Sequence, residues 1–361
     1  MKLFGLIDRY IISKFLGTFF YAIALIISIT IVFDISEKID DFIQKEAPLD
    51  EIVFTYYVNF VPYFVNLFSP LFTFIAVIFF TSRMAYNTEI VAVLSSGISF
   101  RRLLLPYMIS AVILTILSLA LSNFIIPPSN QKRLDFENTY IRNPLHYNKY
   151  NIHRQVSPNT FVYFESYNTN RNFGYRFTLE RFAEQELVYK ISADFLRWDS
   201  IKEIWTMENY IARTFQGVDE SLIHGTKKDT ILNMHPDDFG KRIDNVETMN
   251  YFQLNQFIKD EKFKGSDNIA YYEIEKHRRI SMPFATIILT LIGVSIASRK
   301  VRGGIGLHIG IGLFISFSYI MFMQVATTLV TNAGMDASIA MWIPNLIYFF
   351  LSFYMIRIAP K

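Results

Sequence analysis

The residues of this chain that could make or break bonds are few and far apart. Its six histidines stand at 146, 153, 224, 235, 277 and 308, and none falls at ligand spacing with nearby acids. There is no H-E-x-x-H, so a zinc-hydrolase helix is absent. There is no cysteine, which excludes disulfides, thiolate nucleophiles and cysteine-held zinc. No G-x-x-x-x-G-K-[ST] loop occurs, so the chain does not cradle ATP in the P-loop manner. Gly97-Ile98-Ser99 loosely resembles a serine-hydrolase element. Its imidazole candidate inside an apolar run, His308, lies near that run's start and reads as interfacial. His277 with Glu273 and Glu275 is the densest titratable group, and it reads most simply as a charged helix entering a membrane. The pattern points to binding and positioning, without catalysis, metal or cofactor.

Two sets of residues suggest binding. In the stretch 87–98, Ile90, Val93 and Leu94 recur at i, i+3, i+4, one apolar face of a short helix. Asn87 or Thr88 is placed to cap it, and Glu89 sits in the first turn, where a negative charge favours the helix dipole. Gly97 is a natural stop. Such a helix can dock in a groove of a soluble partner or rest on a bilayer surface. The second set is cationic: Lys38, Lys45, Arg133, Arg278 and Arg279, all near the ends of apolar runs. Cations there can contact the acidic headgroup of a lipid-like substrate, or act as snorkelling anchors.

The elements that must position these residues are membrane spans. The chain has 361 residues, of which 52% are hydrophobic, and includes 35 Phe and 21 Tyr. Six segments run for about 20 residues without Asp, Glu, Lys or Arg, long enough to cross a bilayer. The expected spans are about 15–33, within 52–81, 103–126, 280–298, within 303–330 and about 337–356. Pro62 and Pro70 predict a kink or re-entrant approach in the second, and Pro127-Pro128 predict the end of the third. Gly306-x-x-x-Gly310 in the fifth is a close-packing motif, weak when alone. The first run is longer than a signal-peptide core and lacks a small-x-small site after it, so it is expected to be retained.

Charge orients the spans. Basic residues at 2, 9, 14, 83, 101, 102, 299, 300, 302, 357 and 361 fall at ends that then lie in the cytoplasm. The loop from Asp34 to Glu51 is acidic apart from Lys38 and Lys45, and suits the outer face. Both termini are expected inside and the block 127–279 outside. That block carries 22 basic and 22 acidic residues, so the net charge of +3 implies no nucleic-acid partner.

Within the block, short aromatic and β-branched runs at 161–165, 174–180, 187–193, 204–207 and 210–215 are separated by Asn, Asp and Gly. They predict a β-sandwich or jelly roll. A helix over 250–262 would lead back to the membrane. The fold class expected is an α-helical membrane protein with six transmembrane helices and a jelly-roll-like β domain between helices 3 and 4. The divisions are 1–126 (helices 1–3), 127–279 (β domain) and 280–361 (helices 4–6).

Three places carry a family resemblance: the opening Leu6-Ile-Asp-Arg-Tyr-Ile-Ile-Ser-Lys-Phe, the loop from Glu89 to Leu103 with its E-x-x-A-x-x-x-x-G-[IV]-S pattern, and the C-terminal third. The last includes Glu275-Lys-His-Arg-Arg-Ile-Ser-Met-Pro-Phe, Arg302-Gly-Gly-Ile-Gly and Ala340-Met-Trp-Ile-Pro-Asn-Leu. In order and spacing the chain resembles the LptF/LptG (YjgP/YjgQ) permeases of the lipopolysaccharide exporter. A Pro-rich entry to the last span, usual in that family, is replaced by Met335-Asp-Ala-Ser.

The resemblance implies a permease subunit of an ATP-driven ABC-type exporter in the inner membrane of a Gram-negative bacterium. Its partners would be a paralogous permease, a dimeric cytoplasmic ATPase that alone uses ATP, and a periplasmic jelly-roll bridge protein. The loop helix with Glu89, Ile90, Val93, Leu94 and Gly97 would be the ATPase-coupling helix. Lipopolysaccharide would enter laterally by spans one and five, making Lys38 and Lys45 candidate phosphate contacts. The β domain would lie in the periplasm. The competing reading is a membrane-anchored scaffold that recruits envelope partners without transport.

Overall fold

The computed structural model describes residues 5–142, 148–217, 219–240, 243–299 and 304–359. Lys2, His146, Lys300, Arg302, Gly303 and Lys361 lie outside the described residues. Two compact units are present. The first comprises 1–142, 246–254 and 270–361, the second 143–245 and 255–269.

Among the described residues, six helices are long and apolar enough to span a membrane. They are α1 (Leu6–Gln44), α2 (Glu51–Tyr86), α4 (Phe100–Tyr140), α6 (Ile269–Ala297), α7 (Gly304–Ala333) and α8 (Ala337–Ile358). The short α3 (Glu89–Ser95) lies between α2 and α4, and α5 (Tyr251–Phe263) precedes α6.

Four helices overrun the expected spans, α6 by starting at Ile269 rather than 280. α1 continues to Gln44, so much of the expected acidic loop is helix and Lys38 lies on it. Asp34 and Lys38, one turn apart, form an ion pair at 2.7 Å that keeps the helix running where hydropathy stops. α2 passes through Pro62 and Pro70 after a wide π-helical turn at Glu51–Tyr57, with no break. α4 does not end at Pro127-Pro128. A π-helical turn at Leu121–Ile125 rearranges the backbone pairing, and the prolines fall at the first positions of the segment Ile126–Tyr140, where no amide donor is needed.

The helices pack through buried aromatic and aliphatic side chains. Ile11, Phe15, Phe80, Tyr107 and Val294 share one cluster; Phe74, Ile78, Leu289, Ile292 and Tyr319 share another. The close approach expected at Gly306 and Gly310 is not made there: a methyl group at either would meet nothing within 4 Å. Gly312 is the tight position, where a Cβ would lie 2.3 Å from Ile78 Cδ1. Phe20, Tyr21, Leu25, Val32 and Phe33 of α1 are exposed, as are Phe314, Phe317 and Met321 of α7. Such faces suit contact with lipid.

The second unit is built on a six-stranded antiparallel sheet in sequence order β1 to β6. The strands are β1 (Asn148–Ser157), β2 (Thr160–Asn168), β3 (Phe173–Ala183), β4 (Glu186–Asp199), β5 (Ile204–Gln216) and β6 (Asp219–Thr230). The sandwich or jelly-roll expectation narrows to this: among the described residues the sheet is an up-and-down meander, each strand paired with its sequence neighbours. The expected strands 204–207 and 210–215 are one strand, β5. β1 and β6 were not anticipated, because they carry little apolar alternation. All but two residues of β6 are exposed, and its ladder to β5 rather than burial holds it, while its charges discourage further pairing at the edge.

One face of the sheet forms the core of this unit. Val162, Phe164, Phe177, Leu179, Ile191, Trp205 and Met207 are buried there, covered by Met234 and Phe239. Trp205 Nε1 donates to the Met234 carbonyl at 3.0 Å, which satisfies the indole inside an apolar setting.

Candidate functional sites: the loop helix, a polar cavity and a groove on the sheet

The loop helix α3 is shorter than the expected 87–98. Its cap also differs. Thr88 occupies the N-cap position in a left-handed conformation (φ +63°), and its hydroxyl donates to the Asn87 carbonyl at 2.6 Å instead of capping. Asn87 Nδ2 donates to Glu89 Oε1 at 3.3 Å. Gly97 (φ +87°) turns the chain after Ser95 in a conformation that favours glycine. Ser99 then caps α4, its Oγ accepting from the Arg102 amide at 3.3 Å. Ser99 is thus a helix cap. His308 is buried, its Nδ1 2.8 Å from Ser82 Oγ. The sequence reading of His308 as merely interfacial missed this partner, which is 226 residues distant.

The apolar face of α3 is turned inward. Ile90 is buried in the cluster that holds Phe80, Met84, Phe100 and Leu103, and Val93 and Leu94 pack against it. Val91, Ala92 and Ser95 are exposed. The face that fixes the helix is therefore spent on the chain's own core, and the face left for a partner is small and weakly polar. Around α3, Tyr10 of α1 donates to Glu89 Oε2 at 3.2 Å. Arg102 of α4 holds Asp8 of α1 through two parallel bonds, Nη1–Oδ1 at 2.7 Å and Nη2–Oδ2 at 2.6 Å. The Gly5 amide also donates to Asp8, at 2.9 Å.

The five cations of the second set do not form one site. Arg278 and Arg279 line a cavity of about 230 Å³ with Tyr63, Asn66, Asn130, Glu247 and Glu275. Arg133 of α4 does not line it, though its guanidinium lies 5.2 Å from the Tyr63 ring centre. Lys38 is bound to Asp34 and to the Tyr56 hydroxyl, and Tyr57 donates to Asp34 Oδ2 at 3.1 Å. Lys45 is exposed, its Nζ 3.5 Å from the Arg142 carbonyl.

Four of the five are paired with carboxylates: Lys38 with Asp34, Arg133 with Glu137, and both Arg278 and Arg279 with Glu275. The cavity's two arginines face two glutamates, so it is not a cationic pocket. Three of these pairs stand at i,i+4 spacing, legible in the sequence once those segments are known to be helical. The titratable group on α6 is split. Glu275 serves the arginines, while Glu273 lies 3.4 Å from His277.

The second unit carries a groove of about 640 Å³. Its lining includes the edges of the core residues Val156, Leu179, Ile191 and Met207, with Leu232, Arg181 and Lys228. Ser157, Thr160, Thr230 and Asn233 also line it, so the groove is of mixed polarity.

Six apolar helices with a β-sheet domain between the third and fourth define a multi-pass membrane protein with an inserted β domain. Residues 9–358 match the family described as lipopolysaccharide export system permease LptF/LptG, and the chain belongs to that family. Two relatives align over 368 positions, covering 99% of this chain and 99% of their own length at 21% identity. Both are named lipopolysaccharide export system permease protein LptG, from Escherichia coli strain K12 and from Escherichia coli O6:H1 strain CFT073.

Proposed function

We propose that this chain is a membrane permease subunit of an ATP-driven, ABC-type exporter that extracts lipopolysaccharide from the inner membrane and passes it to a periplasmic bridge. In this reading both termini and α3 face the cytoplasm and the β domain lies in the periplasm. A paralogous permease stands beside it, and a separate dimeric ATPase supplies hydrolysis.

The observation that carries the reading is α3. It is a one-helix platform seated by Ile90, Val93 and Leu94 on the bundle, with Glu89 at its start and Val91, Ala92 and Ser95 left exposed. A rigidly seated helix with an uncovered face can receive force from a soluble partner, whereas a helix resting on lipid would turn its apolar face outward. The family membership and the two LptG relatives support lipopolysaccharide as cargo. The cation set supports headgroup contact less well, because most of it is paired.

Depletion followed by lipopolysaccharide fractionation tests the transport reading. The exporter traps lipopolysaccharide in the inner membrane, and a scaffold does not. Co-purification of the ATPase with the wild-type chain, lost on Glu89→Lys, tests the docking. Retained and fully coupled hydrolysis in that variant would remove Glu89 from the interface.

A further inference from the structure

α1 is held by polar contacts at its two ends and by one packed apolar stripe between them, while its opposite face is open. At its start, Asp8 is fixed by Arg102 of α4 through both carboxylate oxygens, and Tyr10 reaches Glu89, the first residue of α3. Ile11 and Phe15, one turn further on, belong to the same buried cluster as Ile90, Phe100 and Leu103. Lys14 lies 5.8 Å from the Tyr10 ring centre and steadies the ring. Toward its other end, Lys38 and Asp34 join the Tyr56 and Tyr57 hydroxyls of α2. Between the two, Phe19, Ile23 and Ile27 are buried in that cluster, and Phe20, Tyr21, Leu25, Val32 and Phe33 are exposed.

A helix anchored this way follows whatever its anchored ends follow. We propose that Tyr10 and Asp8 are positioning residues that tie α1 to the loop helix α3 and the start of α4, so that a displacement of α3 is delivered to the exposed apolar face of α1. The proposal rests on the reading of α3 as the ATPase-docking helix. Neither residue touches the partner in this arrangement. Tyr10 works through Glu89, and Asp8 through Arg102. The two links differ in character. Asp8 is almost fully buried and its two bonds to Arg102 are parallel, so it sets a fixed geometry. The Tyr10–Glu89 bond is exposed and single, so it follows α3 without adding much to stability.

The test uses the full-length chain with its paralogous permease and ATPase, reconstituted in vesicles containing lipopolysaccharide. Tyr10→Phe removes one hydroxyl from an exposed ring, and Asp8→Asn keeps the shape of a buried group while removing its charge. The expected result for Tyr10→Phe is normal ATPase co-purification, unchanged basal hydrolysis and lipopolysaccharide release lowered roughly threefold to tenfold. Asp8→Asn is expected to lower release at least as far. The exchange Asp8→Arg with Arg102→Asp is expected to recover much of what Asp8→Arg alone loses, which a merely structural packing role for Asp8 would not allow. Wild-type release in Tyr10→Phe, with the ATPase still bound, overturns this proposal alone. Absence of ATPase co-purification with the unaltered chain overturns the docking reading and this proposal with it. Should Asp8→Asn fail to fold, Tyr10→Phe decides.

Discussion

Glu275 and Arg279, one turn apart on α6, are joined at 2.8 Å between Glu275 Oε1 and Arg279 Nε. The two terminal nitrogens of Arg279 go elsewhere, to the carbonyls of Met249 and Val246 at 2.6 and 2.9 Å. The guanidinium is thus closed on three sides and ties α6 to the segment that precedes α5. Its role is architectural, although a basic residue near a span end invites a reading as a lipid contact.

Arg279→Gln is therefore expected to destabilise the folded chain by about 2–3 kcal/mol, because it leaves the two carbonyls without their charged donor and Glu275 with Arg278 alone. Arg279→Lys, which lacks the fork, is expected to recover only part. Thermal unfolding in detergent, followed by aggregation or a fluorescent reporter, reads the difference. A variant as stable as wild type would show that the three bonds do not hold.

Ser82 and His308 are both buried and share a bond of 2.8 Å between α2 and α7. Ser82→Ala strands one imidazole nitrogen and is expected to cost about 1–3 kcal/mol. Ser99→Ala removes only a helix cap and is expected to cost about 1 kcal/mol. The same unfolding assay ranks them. An order with Ser99 clearly the more costly would contradict this assignment.

Gly97 holds φ +87°, with open space where a side chain would stand. Gly97→Ala is expected to cost about 1–2 kcal/mol through backbone strain alone. The strain falls on the turn that follows α3. Co-purified ATPase should accordingly fall with Gly97→Ala, while the unfolding temperature drops by a few degrees only. An unchanged ATPase yield would separate the turn from docking.

Gly312 and Gly310 are neighbours in sequence with different surroundings. A Cβ at Gly312 meets Ile78, and one at Gly310 meets nothing within the chain. Gly312→Leu is expected to cost about 1–3 kcal/mol by overpacking, with Gly310→Leu close to neutral in the isolated chain. Equal unfolding temperatures for the two would refute the packing of α2 on α7 described above.

Much of the architecture was legible because membrane spans obey a simple rule. Backbone groups in lipid must be satisfied internally, so about 20 uncharged residues read as a helix. The six spans and the β insert followed from that and from alternation in the strands. The start of α5 carries a capping signal that the sequence reading did not use. Asn250 Oδ1 accepts from the amides of Phe252 and Gln253, and Gln253 Oε1 accepts from the Asn250 amide at 2.9 Å. Helix ends were less legible. Asp34–Lys38 and the wide turn before Pro127 extend α1 and α4 by side-chain pairing and backbone rearrangement, which hydropathy does not record. β6 was hidden because it is held by ladder bonds rather than by burial, and β1 because only Ile152 and Val156 of it turn to the core.

The sequence by itself determined the class of this protein: which segments are apolar enough to span, where a water-facing β domain interrupts them, and that α3 has one apolar face. These depend on local composition and period, which a single chain displays directly. Only the tertiary structure decided what that face and the cations do. It turns Ile90 into the chain's own core, gives Lys38, Arg133, Arg278 and Arg279 to carboxylates, and joins Ser82 to His308 and Asp8 to Arg102. The physical reason is that a charge or hydroxyl near a membrane has several possible partners. Which one it takes depends on helix rotation and packing, and residues 94 and 226 positions apart meet only when the bundle is closed.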